Sequence, residues 1–130
     1  MKQPLIAISW GELFDRLSIC RLKASRLADK TARSAARQEV RELSLLTRGL
    51  KRPPGLRKLL NDLHLCNMRL WALEERVREN IRQGSLGKSY VASARAITLG
   101  NNRRSRIKAK INSLLPTKRG ELKSWSSVSK

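Results

Sequence analysis

The feature that most constrains the fold is a long apolar seam in the middle of the chain. Its members recur every three or four positions, at Leu56, Leu59, Leu63, Cys66, Leu70, Leu73, Val77 and Ile81. This spacing places them along one side of an α-helix. The segment follows Pro53-Pro54, which cannot lie inside a helix, and ends before Gly84. The sequence therefore predicts a helix over residues 56–83, about 40 Å long at about 1.5 Å per residue.

Other segments show the same spacing and predict four further helices, over residues 9–28, 32–48, 88–99 and 101–115. Ser9 and Glu12 have the form of a capping box, and Gly100-Asn101-Asn102 offers a break followed by a new N-cap. We therefore expect an all-α bundle of about five helices, with one long central helix and a short extended segment before the first. Residues 1–115 are expected to form a single helical domain, and residues 116–130 a basic, partly ordered tail.

Basic residues are in large excess, giving a formal net charge of +19. The excess lies in residues 21–60, with twelve basic and three acidic residues, and in residues 101–130, with nine and one. Such a field attracts polyanions and acidic surfaces, although a solvated basic surface without such a partner has the same composition. The expected partners are an acidic protein, an anionic small molecule or a polyanion. Sequence-specific binding of nucleic acid is not expected, because only Trp125 is a candidate stacking aromatic.

Motifs for other chemistry are missing from the sequence. Cys20 and Cys66 fall on apolar helix faces and are expected to be core residues, while His64 has no ligand-type neighbour at helical spacing. No Gly-rich phosphate loop is present. We therefore predict no metal site and no cofactor. No segment has the form of a secretory signal or reaches membrane-spanning length, so a cytoplasmic location is expected.

Two polar stripes border the apolar faces of separate helices. The first consists of Asn67, Trp71, Glu74 and Arg78, at spacings of four, three and four. The second consists of Asn101, Asn102, Arg103 and Arg104, followed by Lys108 and Asn112. A position beside a core removes part of the water from a polar side chain, which then needs a partner. We expect the stripes to meet, with Glu74 pairing to Arg104 or Lys108 and Arg78 contacting the amides.

This meeting has two interpretations, which the sequence leaves open. The network could be structural and fix the alignment of the helices. It could instead form a pocket whose cations grip a phosphate or carboxylate. The candidate ligand-binding residues are Asn67, Trp71, Arg78, Asn101, Arg103, Arg104, Lys108 and Asn112. The candidates for general acid–base catalysis are Glu74 and Glu75.

Several segments carry a family resemblance: Ile8 to Ile19, Leu70-Trp71 with Glu74-Glu75 and Arg78, Asn101 to Arg104 with Lys108 and Ile111-Asn112, and Glu121 to Trp125. Together they resemble an uncharacterised family of short bacterial all-helical proteins, except between about residues 28 and 60. Where the family usually has Asp, this chain has Glu75 and Asn102, so one carboxylate is missing. The resemblance implies a shared helical fold and site, and an occurrence near glycosyltransferase and surface-polysaccharide functions. It implies no particular reaction.

Three functions of different classes fit these observations. We favour a non-enzymatic basic accessory protein that binds an acidic partner or an anionic ligand. The alternative is a small all-helical enzyme or ligand-binding protein acting on a phosphorylated or nucleotide sugar. The third is a self-assembling scaffold, in which the helix over residues 56–83 pairs with its copy in a homodimer.

Overall fold

A computed structural model describes residues 2–117, which form four α-helices and no strand. The helices are α1 (Trp10–Arg26), α2 (Lys30–Leu45), α3 (Leu56–Arg82) and α4 (Lys88–Leu114). The predicted all-α bundle with a long third helix is therefore confirmed, but the predicted number of five helices is wrong. The segment before Ser9 belongs to no helix. Most of the predicted tail, residues 118–130, lies outside the described residues.

The helices pack as two successive hairpins, α1 with α2 and α3 with α4. α1 joins the hairpins because it also contacts both α3 and α4. The buried core consists of Phe14, Leu17, Leu56, Leu63, Cys66, Leu70, Ile107, Ile111 and Leu115. Val40 and Leu43 of α2 pack against the edge of this core. The core therefore lies where α1 crosses the α3–α4 hairpin, and it is mainly aliphatic.

The predicted break at Gly100-Asn101-Asn102 does not occur, since α4 runs unbroken from Lys88 to Leu114. Gly100 serves close packing instead: a Cβ atom there would lie 2.6 Å from Leu70 Cδ2. Cys66 Sγ donates to the Gly100 carbonyl at 3.4 Å. Asn101 remains helical and accepts a hydrogen bond from Arg104 Nη2 at 3.0 Å. The residues that resembled a cap thus lie inside a continuous helix, in which Gly100 lets α3 and α4 approach closely.

The two ends of α3 differ in burial. No residue of α3 after Leu70 is buried, and Ile81, predicted to belong to the apolar seam, is 56% exposed. Beyond Leu70, Leu73 lines a groove together with Ala96 and Leu99 of α4. The buried part of the bundle is therefore shorter than the apolar pattern predicted.

Helix starts follow the sequence more closely. Ser9 Oγ accepts from the Glu12 backbone N–H at 3.1 Å, which confirms Ser9 as the N-cap of α1. The Glu12 side chain does not complete the capping box, because its carboxylate accepts from Lys108 Nζ. Gly55 precedes α3 with φ of 90°, a left-handed conformation that favours glycine. This turn lets the chain enter α3 directly after the two prolines.

Both cysteines are free and buried, as expected for packing residues. Burial raises the pKa of the Cys20 thiol to about 11, and a hydrogen bond with Glu39 acts in the same direction. Burial also raises the pKa of Cys66. Neither thiol therefore forms the reactive thiolate near neutral pH.

α1 approaches α4 closely at Gly11. Its backbone N–H donates to Asn112 Oδ1 at 2.7 Å. A Cβ atom on Gly11 would lie 2.6 Å from the Lys108 carbonyl oxygen and 2.8 Å from Asn112 Oδ1. Because the nearer atom belongs to the backbone of α4, a small side-chain movement cannot relieve this contact.

We predict that Gly11→Ala lowers the free energy of unfolding by about 1–3 kcal/mol, the usual cost of overpacking, although alanine is the better helix former. Gly87→Ala is the matched control, since no atom lies within 4 Å of the Cβ position at Gly87. It should change stability by less than about 1 kcal/mol. Urea denaturation of both variants is the measurement. Equal stabilities would contradict the close contact at Gly11.

Candidate functional site

The centre of the α1–α3 contact is polar. Asp15, Ser18 and Asn67 are each at least 95% buried, with relative exposures of 5%, 5% and 3%. Asn67 Nδ2 donates to Asp15 Oδ1 at 2.9 Å and to Ser18 Oγ at 3.1 Å. One amide thus supplies hydrogen bonds to two buried acceptors, which would otherwise destabilise the core.

α4 supplies two cations to the same cluster. Arg104 Nη1 donates to Asn67 Oδ1 at 3.2 Å, and Arg104 Nε lies 4.0 Å from Asp15 Oδ2. Lys108 Nζ lies 3.4 Å from Asp15 Oδ2 and 2.6 Å from Glu12 Oε2. Burial alone would lower the pKa of Lys108, but the hydrogen bond with Glu12 and the charge of Asp15 outweigh it and raise that pKa. Lys108 is therefore a permanent cation at neutral pH. We call Glu12, Asp15, Ser18, Asn67, Arg104 and Lys108 the central network.

The structure brings several predicted site residues into this region. Asn67, Arg104 and Lys108 belong to the central network itself. Asn101 borders it through its hydrogen bond with Arg104, and Asn112 anchors α1 next to it by accepting from the Gly11 backbone. The meeting of the two polar stripes is therefore real, and Asn67 with Arg104 is where they touch.

The predicted carboxylate partner is wrong. Glu74 and Arg78 are exposed, and neither makes a hydrogen bond or ion pair that the structure records between residues 2 and 117. The anions beside the two α4 cations come instead from α1, as Glu12 and Asp15. The reason is that burial along α3 ends at Leu70, so the rest of the stripe extends beyond the region that α1 covers.

The remaining candidates also lie outside the central network. Trp71 Nε1 donates to Glu75 Oε1 at 2.9 Å, a bond within α3 between a half-buried indole and an exposed carboxylate. Arg103 is exposed and borders a groove between α3 and α4. Neither Glu74 nor Glu75 is thus placed for proton transfer within the cluster that contains Arg104.

A second polar region escaped prediction entirely. Two adjoining depressions, of about 100 and 300 Å³, share Arg21, Arg52, Leu60 and His64 in their walls. Arg57 and Asn61 line the larger one. No carboxylate lines either depression, and none of the three arginines forms an ion pair within the described part of the chain. We call Arg21, Arg52, Arg57, Asn61 and His64 the cationic cleft.

His64 connects the cationic cleft to the central network. Its Nδ1 lies 2.8 Å from Ser18 Oγ. Because Ser18 Oγ already accepts from Asn67, its hydroxyl hydrogen is free to donate to Nδ1. Burial lowers the pKa of His64, and the charges of Arg21 and Arg26 lower it further. The imidazole is therefore mainly neutral at pH 7, beside cations that repel a further proton.

The walls of the cleft come from three parts of the chain. Arg57, Asn61 and His64 are spaced by four and three on the first turns of α3, and this spacing was a visible signal. Arg21 lies on α1, and Arg52 lies in the connection before α3. The Arg52 guanidinium lies 5.9 Å from the centre of the Phe14 ring, within cation–π range. The sequence pattern could not show that these separate segments converge.

No group of three or more His, Cys, Asp or Glu residues between positions 2 and 117 is arranged to hold a metal ion. In the same range, no helix combines the length and the apolar character that crossing a bilayer requires.

Comparison of the chain with known protein families, curated proteins and solved structures gives no match. The resemblance to a family of short bacterial helical proteins stays a prediction from its motifs.

We predict that Asp15→Asn lowers the free energy of unfolding by about 3 kcal/mol, because it removes the buried negative charge beside Arg104 and Lys108. Glu74→Gln removes the same charge from an exposed position and should change stability by less than about 0.5 kcal/mol. Guanidinium denaturation of the two variants gives the comparison. Equal losses of stability in the two variants would contradict the conclusion that Asp15, and not Glu74, is the anion that pairs with Arg104 and Lys108.

Proposed function

We propose that the protein is a non-enzymatic accessory protein that binds an anionic ligand in the cationic cleft. The observation that carries this proposal is the convergence of Arg21, Arg52 and Arg57 in a concave site lined by no carboxylate. Like charges held close together raise the energy of the free site, and a bound oxyanion relieves that repulsion. The overall charge of +19 would also speed the encounter with an anion.

The chemistry of the walls favours a phosphate-type group. Guanidinium groups match phosphate and carboxylate oxygens with paired N–H donors, and the Asn61 side chain adds an amide donor. The cleft also lies at the N-terminal end of α3, whose partial positive charge favours an anion. A depression of about 300 Å³ is at the small end of ligand sites. It therefore suits a small phosphorylated compound better than a large cofactor.

Binding is favoured over catalysis because of what the cleft lacks. The predicted acid–base candidates, Glu74 and Glu75, are not among the residues that line it. The cleft residue that could exchange a proton near neutral pH is His64, and its Nδ1 already forms a hydrogen bond with Ser18. A sugar phosphate, the substrate class of the alternative function, remains a suitable ligand for the same arginines. Unlike the alternative enzyme, the protein we propose captures the anion in the cleft and does not convert it.

We predict that inorganic pyrophosphate binds the protein and that Arg21→Gln and Arg57→Gln each weaken binding about tenfold. This factor corresponds to about 1.4 kcal/mol, near the lower end for a hydrogen bond to a charged group. Arg78→Gln removes an equal charge from the exposed end of α3 and is the matched control. Isothermal titration at constant ionic strength gives the affinities.

The three variants separate the possible outcomes of this titration. An equal small loss in all three would mean that the net charge, and not the cleft, attracts the anion. A loss confined to Arg78→Gln would move the site to the stripe predicted from the sequence. Either result would contradict the proposed cleft.

We predict that anion binding raises the pKa of His64, because a bound negative charge opposes the repulsion from Arg21 and Arg26. Affinity should therefore increase as the pH falls through the interval between the free and bound pKa values. Sulfate is the suitable probe, since its charge is constant between about pH 5 and 8, where histidine titrates. The chain has one histidine, so its NMR titration with and without sulfate is unambiguous.

In the protein without a bound anion, His64 also makes the free energy of unfolding depend on pH. Because folding lowers the pKa of His64 below the usual 6.5, the unfolded chain takes up the proton first as the pH falls. The contribution of His64 to the free energy of unfolding is therefore fully present above pH 6.5, and it is lost as the pH falls below that value. An anion affinity independent of pH, or unchanged pH dependence in His64→Gln, would remove His64 from the site.

A further inference from the structure

A second concave surface lies on the α3–α4 hairpin and shares no lining residue with the cationic cleft. It is a groove of about 330 Å³ whose walls include Leu65, Leu70 and Leu73 of α3 with Ala96 and Leu99 of α4. Leu65 and Leu99 are 62% and 63% exposed. Large apolar side chains grouped in one groove at such exposure are typical of a binding surface. We call this surface the outer groove.

The outer groove shares Cys66 and Leu70 with the buried core, but its other lining residues do not belong to that core. On α3, Asn67 points to α1, whereas Leu65, Arg69 and Leu73 lie at helical positions turned well away from it. The groove floor contains Gly100, the residue that lets Leu70 approach α4 closely. The small Gly100 and the leucines beside it leave a channel between α3 and α4. An amphipathic helix binds such a channel through apolar residues spaced by three and four.

The charges beside the outer groove identify the kind of helix that fits. Arg69 and Arg103 line it, one from each helix, and neither forms an ion pair among residues 2–117. Asp62 also lines it; the hydrogen bond with Lys58 at 2.8 Å lowers the pKa of its carboxyl, and the charge of Arg103 acts in the same direction. The lining therefore carries two positive charges and one negative charge. A helix seated between the arginines would therefore be stabilised by acidic residues flanking its apolar stripe.

We infer that the outer groove binds an acidic amphipathic helix of a partner protein. The same charges disfavour a second copy of this chain, whose net charge is +19. They also disfavour its own residues 118–130, which contain four basic residues and one acidic residue. The lining of α3 extends from Asp62 to Leu73, about 17 Å along a helix. The bound helix therefore contacts the groove over about three turns.

The test uses the full chain and a designed peptide of about five turns, with leucines at positions i, i+3 and i+7 flanked by glutamates. Fluorescence anisotropy measures its affinity, and a scrambled peptide of the same composition controls for charge alone. Leu99→Glu replaces an apolar side chain of the groove with a carboxylate, which repels the glutamates of the peptide. It should weaken binding at least tenfold. Arg69→Gln should weaken it severalfold and reduce its salt dependence.

Leu46→Glu is the matched control, because Leu46 is 60% exposed but does not line the outer groove. It makes the same change in charge and should leave peptide affinity unchanged. Equal affinity for the scrambled peptide, or equal losses in Leu46→Glu and Leu99→Glu, would overturn the inference. Neither result would bear on pyrophosphate binding by the cationic cleft.

Competing occupants give distinct results. A dimer that sedimentation detects in the full chain and that Leu99→Glu abolishes would place a second copy in the groove. Tighter peptide binding by Trp125→Glu than by the original chain would show that residues 118–130 occupy it. Either outcome would replace the acidic partner helix as the occupant.

Discussion

The side-chain amide of Asn67 fixes the relative positions of three helices. It donates to Asp15 and Ser18 of α1 and accepts from Arg104 of α4, in a position that is 3% exposed. Apolar contacts alone would tolerate a shift of one helix along another better than this arrangement does. A shift would leave the Asp15 carboxylate buried without its partners, at a cost of several kcal/mol. The alignment of α1 with α3 and α4 thus depends on one short amide side chain.

This alignment also builds the cationic cleft. Ser18 contacts both Asn67 in the central network and His64 in the cleft, while Arg21 follows one turn later on α1. Acidic residues are scarce, and several are already committed to other cations in the pairs Glu12–Lys108, Glu39–Arg16, Asp62–Lys58 and Glu79–Arg82. The cleft arginines are left without carboxylates by this distribution. The packing that gives the buried Asp15 its partners therefore also brings together arginines that have no carboxylate beside them.

The sequence predicted local features well, because they depend on spacing and caps within one segment. The third helix was predicted over residues 56–83 and observed over Leu56–Arg82. The two stripes beside apolar faces predicted that α3 and α4 meet through polar side chains, but not that Asn67 is the residue that contacts Arg104. Gly100 was misread because a glycine can end a helix or admit a neighbour, and Leu70 on another helix decides which. Glu74 was misassigned because its partner depends on which part of α3 the first helix covers.

The distances between interacting residues along the chain have a consequence during synthesis. Gly11 and Asn112 are separated by 101 positions, and Glu12 and Lys108 by 96. Translation at about 5–20 residues per second needs roughly 5–20 s to cover such an interval. Until α4 leaves the ribosome, Asp15 lacks both of its cationic neighbours, Arg104 and Lys108. The packing of α1 against α2 therefore does not need α4, whereas the ion pairs of α1 with α4 form only after nearly the whole helical part of the chain has been made.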